Sequence, residues 1–399
     1  MGIFNFASEI FLMVAENLSI GDLSNFRLTS QRLHSVLTPL FEELCLQDIG
    51  ELTALQWAVF RGHDGLIKLA IPRGAEIDKP IRRKLNSTDL AISGKRNLDP
   101  MCFWANNGAA TSDKDAILRT SLYLAACLGR QKAIELLLKA GASMQCFGEM
   151  NTPAHVSARR GDIDCMQAFI NAKVDISIRG FHGRSILHAA TESDGVEMMI
   201  YLLELAGGEK LVNARGCHQD TPLHRAASAC RLGEQSSVKI ELLLQHGADI
   251  CARDEFGNTP AHTAAAMGNV FAMRALIAAG IDWDARNNSG DTILHSAING
   301  EQGMLEYLLG QKGGRKIIDV VDNEGHTPLY TAVLLREREA AEQLVEYGAN
   351  KRGLSALKYV QEPAGDKPGW ETRIISSRGG GRVGLARVFS RWLERARGN

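Results

Sequence analysis

Histidine and cysteine are the residue types in this chain best suited to metal or nucleophilic chemistry, and their spacing argues against both. Among eleven histidines, His155, His188, His224, His262 and His295 occupy the same place in a recurring phrase. Side chains that recur once per packed layer stand about 10 Å apart along a stack. A zinc ion needs its nitrogens about 2 Å away and converging, so this series cannot share one ion. Each ring is expected instead to hydrogen-bond backbone near its own hairpin. The eight cysteines (Cys45, Cys102, Cys127, Cys146, Cys165, Cys217, Cys230 and Cys251) include no Cys-x-x-Cys pair. Without that tight turn, two thiolates are not aimed at one metal, and reduced thiols filling small packing volumes are expected. No nucleophile elbow, Walker loop or Rossmann fingerprint occurs, and Gly379-Gly-Gly-Arg reads as a flexible joint. The sequence therefore points to no catalytic residue, no metal and no cofactor.

The elements that carry the histidines follow from the phrase itself. It reads Thr53-Ala-Leu-Gln, Thr120-Ser-Leu-Tyr, Thr152-Pro-Ala-His, Ser185-Ile-Leu-His, Thr221-Pro-Leu-His, Thr259-Pro-Ala-His, Thr292-Ile-Leu-His and Thr327-Pro-Leu-Tyr. The intervals are 67, 32, 33, 36, 38, 33 and 35 residues, so the first demands a hidden repeat, with Thr88-Asp-Leu-Ala its start and Asn107-Gly-Ala its close. Threonine followed by proline opens a helix: the hydroxyl caps free N–H groups, and proline lacks only an N–H that would be unpaired there. Ser157, Ala190, Ala226 and Ala264 are small, letting neighbouring helices approach. Ile134, Leu137 and Leu138, like Ile240, Leu243 and Leu244, supply the larger apolar face of a second helix. Gly74, Gly108, Gly141, Gly247, Gly280 and Gly348 then end the segments, and Asn213-Ala-Arg-Gly or Ala252-Arg-Asp-Glu-Phe-Gly-Asn form exposed hairpin loops. Two matching insertions, Ala206-Gly-Gly-Glu-Lys-Leu-Val-Asn and Lys312-Gly-Gly-Arg-Lys-Ile-Ile-Asp, are expected on loops.

This pattern resembles the ankyrin repeat family, with its 33-residue period and Thr-Pro-Leu-His signature. The resemblance implies an all-α solenoid of helix pairs with β-hairpin loops over residues 50–350, about nine repeats, some degenerate. Stacking gives such units the continuous core that none can build alone. It also implies a protein partner held on the concave side. Candidate tip residues are Phe147, Met150, Phe181, Arg184, Arg215, His218, Arg253 and Phe256, because aromatic and arginine side chains make effective anchors.

Residues 1–49 contain no repeat phrase. Phe6, Ile10, Val14 and Leu18 share one helical face, Ser19 and Asp22 suggest a second short helix through Leu23, Phe26 and Leu28, and a last helix is expected from Pro39 to about Asp48. The phrases Phe6-Ala-Ser-Glu9-Ile10, Asp22-Leu23, Phe26-Arg27-Leu28 and Leu37-Thr-Pro-Leu-Phe41 resemble the F-box family. That resemblance implies docking of a Skp-family adaptor and cullin complex through Glu9, Ile10, Leu18, Leu23 and Phe26, with the solenoid holding a protein substrate for ubiquitin transfer.

Charge and hydropathy narrow the class further. The whole chain has 45 Lys plus Arg against 46 Asp plus Glu, so no nucleic-acid partner is expected. No run of about 18 apolar residues suggests a membrane span, and the amino terminus lacks a secretory pattern, so a cytoplasmic or nuclear location is expected. Residues 351–399 form a basic tail with 11 Lys plus Arg and 4 Asp plus Glu. Within it Leu385, Val388, Phe389, Trp392 and Ala396 lie at helical spacing opposite Arg387, Arg391 and Arg395.

Overall fold

Threonine and proline set the helix starts as their chemistry requires. A computed structural model describes residues 48–49, 52–79, 120–144, 151–229, 233–298, 300 and 303–351. The chain divides into two compact units, residues 1–211 and 212–399. In the first, a two-residue antiparallel pair, Asp48–Ile49 (β1) with Leu52–Thr53 (β2), precedes the helices. Asp48 was expected to end a helix and lies in this pair instead, because Thr53 must be extended to cap the next helix.

Four helix pairs follow in this unit: Ala54–Arg61 (α1) with Asp64–Ala70 (α2), Ser121–Leu128 (α3) with Gln131–Lys139 (α4), Pro153–Arg160 (α5) with Ile163–Asn171 (α6), and Ile186–Ala190 (α7) with Glu197–Glu204 (α8). A short helix, Glu209–Val212 (α9), lies at the division. The second unit holds Pro222–Ser228 (α10) with Glu234–Gln245 (α11), Pro260–Ala266 (α12) with Val270–Ala278 (α13), Ile293–Ala297 (α14) with Met304–Gly310 (α15), the short helix Lys312–Lys316 (α16), and Pro328–Leu334 (α17) with Arg338–Glu346 (α18). Within each unit first helices pack on first helices and second on second, burying Leu137, Phe169, Leu243 and Leu276 completely. This is the expected all-α solenoid of helix pairs. None of the described helices is long and apolar enough to cross a membrane.

The packing shows which layers adjoin at the start of the first unit. Helices α1 and α2 pack directly on α3 and α4. The Ser143 N–H donates to Asp78 Oδ1 at 3.0 Å, the bond that Asp249 N–H makes to Asn213 and Asn350 N–H to Asp319 between adjacent layers. The described residues thus hold eight helix pairs, and the pairs that begin at Ala54 and at Ser121 adjoin directly. Residues 80–119, including Thr88 and Asn107, lie outside the described residues. A 67-residue interval equals two periods arithmetically, but spacing does not distinguish a repeat from an insertion of equal length.

The Gly-Gly insertions also depart from expectation. They fold as the helical turns α9 and α16, pressed against the preceding helix, rather than as projecting loops. A Cβ on Gly208 would meet the Leu202 carbonyl oxygen at 2.3 Å, and Leu211 beside it is buried. Apolar residues at the end of each insertion pull it onto the array. The cysteines divide: Cys127 and Cys165 are buried as expected, whereas Cys217 and Cys251 lie exposed in turns that form no core.

Glycine closes most second helices with a left-handed residue, as at Gly141 (φ 85°), Gly247 (85°) and Gly280 (87°). Lys173 takes the same place with φ 61°. An L side chain in that region costs about 1–2 kcal/mol, and glycine's greater freedom when unfolded returns part of it. Lys173→Gly is expected to raise stability by about 1 kcal/mol, read from the urea midpoint at unchanged slope. A lower midpoint would contradict it.

Candidate interaction face

The hairpins that join the layers are built from three residue positions counted back from the phrase threonine. Five residues before it, Asp254, Asn287 and Asp322 each accept two backbone N–H groups on one side-chain oxygen at 2.8–3.0 Å, folding the loop tightly. Two residues before it, Gly257 and Gly290 have positive φ, and a Cβ on either would strike the next hairpin's Asn288 or Asn323. Six residues before it, an arginine reaches forward: Arg215 donates to the Arg253 carbonyl at 2.8 Å, Arg253 to the Arg286 carbonyl, and Arg286 to the Val321 carbonyl at 2.7 Å.

Backbone bonds join the tips as well. Glu255 N–H donates to His218 O, Asn288 N–H to Phe256 O and Asn323 N–H to Ser289 O, at 2.9–3.0 Å. Each hairpin is closed by a bond such as Asp254 N–H to Asn258 O at 3.0 Å. The expected hairpins are thus present as tight turns, and the tips of the second unit form one hydrogen-bonded row.

The phrase histidines bind the same row from beneath. Backbone N–H groups of Thr221, Thr259 and Thr292 donate to Nδ1 of His224, His262 and His295 at 3.2–3.3 Å. The opposite nitrogens bond carbonyls of Asn258, Asp291 and His326 at 3.0–3.1 Å. A backbone N–H can only donate and a carbonyl can only accept, so these rings are neutral with the proton on Nε2. His155 behaves alike in the first unit, with Thr152 Oγ1 at 2.7 Å and the Arg184 carbonyl at 2.9 Å. The expected bond to backbone near each residue's own hairpin is made at Nδ1, and Nε2 adds a second bond that was not foreseen. The ring spans to the following hairpin, because the threonine cap turns Nε2 away from its own loop. Burial pushes His155 down to about 4 and lowers His224, His262 and His295 as well. Gln56 does the same work at the first layer, accepting from Thr53 N–H at 3.0 Å and donating to the Lys79 carbonyl at 2.7 Å.

One group of metal-ligand types comes together among the described residues. Asp291, His295 and Asp322 offer ligand atoms within 4.8 Å of one another. Both His295 nitrogens are already committed to Thr292 and to the His326 carbonyl. The group does not fit an ion without breaking that bridge.

The structure distributes the candidate tip residues unevenly. Phe256 is 60% exposed and its side chain stands clear of the row. Arg215 and Arg253 are exposed but their guanidinium groups hold neighbouring tips, and His218 pairs with Glu255. Phe181 and Arg184 are half-buried; Phe181 lies against the His182 ring. Phe147 and Met150 lie outside the described residues, as do Glu9, Ile10, Leu18, Leu23 and Phe26 and the tail helix of residues 385–396. Sequence reading passed over Arg286, Asn288 and Asn323. The signal was present, since arginine recurs six residues before the phrase at 179, 215, 253 and 286.

A sequence family model covers the same repeats. A family model described as ankyrin repeats (3 copies) matches residues 122–214, 154–254 and 223–319. The chain is similar to the human "Ankyrin repeat and SOCS box protein 16", 26% identical over 57% of this chain and 51% of that protein. It is also similar to the "E3 ubiquitin-protein ligase KEG" of Arabidopsis thaliana, 26% identical over 54% of this chain and 16% of that protein. The chain thus spans about half or less of the length of these relatives. A crystal structure of the ankyrin repeat domain of Bcl-3 overlays with a TM-score of 0.44 at 23% identity, over 66% of this chain and 99% of that one. No F-box family model matches.

Proposed function

We propose, from the ankyrin repeats that residues 122–319 carry, that this chain is a non-catalytic scaffold holding a partner protein on its hairpin tips. The observation that carries this reading is Phe256, an exposed aromatic on a tip fixed on both sides by backbone bonds. A rigid apolar anchor loses little entropy on binding, which is what an interface anchor requires. The more specific role we propose is substrate recruitment in a Skp–cullin–F-box ubiquitin ligase, in the cytoplasm or nucleus. Its support is the F-box-like phrasing of residues 6–41 together with repeats suited to hold a substrate. Holding a substrate beside a charged ubiquitin carrier raises its local concentration without any chemistry from the chain.

Co-purification tests the two levels separately. The full chain should recover a Skp-family adaptor, and Leu23→Asp should abolish recovery by placing a charge in the apolar contact. Equal adaptor recovery by residues 51–399 would leave a partner-binding scaffold without a ligase connection. Alanine at Phe256 and at the neighbouring tips, with the fold intact, should weaken a captured partner; no loss at any tip would refute the scaffold assignment.

A further inference from the structure

The arginines that tie neighbouring tips together use one nitrogen for the purpose. In the second unit, Arg253 Nη1 donates to the Gly257 carbonyl at 3.1 Å and to the Arg286 carbonyl, and Arg286 Nη1 donates to the Val321 carbonyl at 2.7 Å. Arg215 holds the same position one layer earlier and reaches the Arg253 carbonyl through Nη1 at 2.8 Å. Among the described residues nothing engages Nε or Nη2 of Arg253 and Arg286, and both residues are exposed. The Nε–Nη2 edge carries two parallel N–H groups, the fork that binds a carboxylate bidentately. The carboxylates of the same hairpins are committed elsewhere. Asp254 accepts from the N–H groups of Phe256 and Asn258, Asp322 from those of Glu324 and His326, and Asp291 from Asn287 Nδ2, while Glu255 pairs with His218.

We propose that this row seats an acidic, extended segment of a partner protein in polyproline II conformation, with a carboxylate at every third residue and prolines packed on Phe256. The inference rests on the reading that the hairpin tips hold a partner. Spacing selects the conformation. Arginines one layer apart stand about 10 Å from each other, the distance between packed helices. A polyproline II helix repeats every three residues and rises about 9 Å in doing so, which returns side chains n and n+3 to one face. A β-strand covers a similar distance but turns the third side chain to the opposite face. Phe256 is 60% exposed and lies three residues after Arg253 in the same hairpin, within about 11 Å of chain. Proline-rich segments dock on such aromatic surfaces. A segment already extended when free loses little order on binding, and the arginines are held in place by the carbonyls they tie.

Fluorescence anisotropy of labelled peptides with the full-length protein tests this. The probe is a peptide of four Glu-Pro-Pro units. One comparison peptide carries glutamine in place of glutamate, and another has the same composition with its glutamates in one block. These comparisons leave the array untouched. The natural chain is expected to bind the spaced peptide about tenfold more tightly than either comparison peptide. Arg253→Lys/Arg286→Lys keeps the charge but removes the fork, and should weaken binding of the spaced peptide about tenfold. Arg387→Gln/Arg391→Gln/Arg395→Gln, in the basic tail, should bind it unchanged. Equal affinity for the spaced and blocked peptides would overturn the proposal. So would an Arg253→Lys/Arg286→Lys variant that binds like the natural chain, or a tail variant that loses binding. Loss of a captured partner on Phe256→Ala would in that event still uphold the tips as the holding face, which separates this failure from failure of the scaffold reading.

Discussion

Stability of the array should fall steeply as pH drops from 6.5 toward 4, and the bridging histidines should be responsible. The unfolded chain takes up protons near the ordinary imidazole value, whereas the folded rings are held below it by burial. Between those values the unfolded state binds more protons, so stability rises with pH and is fully present above 6.5. It is lost progressively as pH falls through the folded values. For His155, lowered from 6.5 to about 4, the linked loss is about 3 kcal/mol. His224, His262 and His295 add losses of the same sign. Burial is the main cause, and the geometry agrees with it: a protonated Nδ1 of His224, His262 or His295 would face a threonine N–H, donor against donor. Urea unfolding at several pH values reads the slope directly. Glutamine is the sharp control, because Gln56 makes both bonds without a titrating group. His262→Gln should flatten the pH dependence while costing little at pH 7.5. An unchanged slope would show that these rings are not its source.

Gly314→Ala should destabilise the second unit by about 3 kcal/mol, a large effect for one methyl group. The added Cβ would meet the Leu308 carbonyl oxygen at 2.0 Å, backbone against backbone, with no side chain free to swing aside. Gly310, four residues earlier, is the matched control. Nothing lies within 4 Å of a Cβ there, and it ends α15 in ordinary helical territory. Gly310→Ala should be neutral or stabilising by about 0.5–1 kcal/mol, since alanine loses less freedom on entering a helix. Thermal or urea midpoints of the two variants decide the matter. Similar midpoints would mean that α16 is loosely attached, and that its insertion is free to grow or move.

The sequence by itself determined the repeating unit. Thr-Pro at helix starts, small residues after the histidine and glycine after the second helix are local requirements, and each is met by the residue's own geometry. Period alone therefore placed the described helix starts, from Thr53 to Thr327. Partnership between layers was not legible in that way. Which carbonyl receives His224 Nε2 depends on where the next hairpin lies, about 34 residues away in the chain but in contact in space. The same holds for Arg215 and Arg253, which looked like free anchors by type and are instead bound to neighbouring tips, leaving Phe256 exposed. Only packing decided that the layers at Thr53 and Thr120 touch, since interval arithmetic is satisfied equally by a repeat and by an insertion. It likewise turned the Gly-Gly insertions inward, because burying Leu211 or Ile317 outweighs the small entropic advantage of a free loop. Local chemistry fixes what each unit is; long-range contact fixes which groups remain available to a partner.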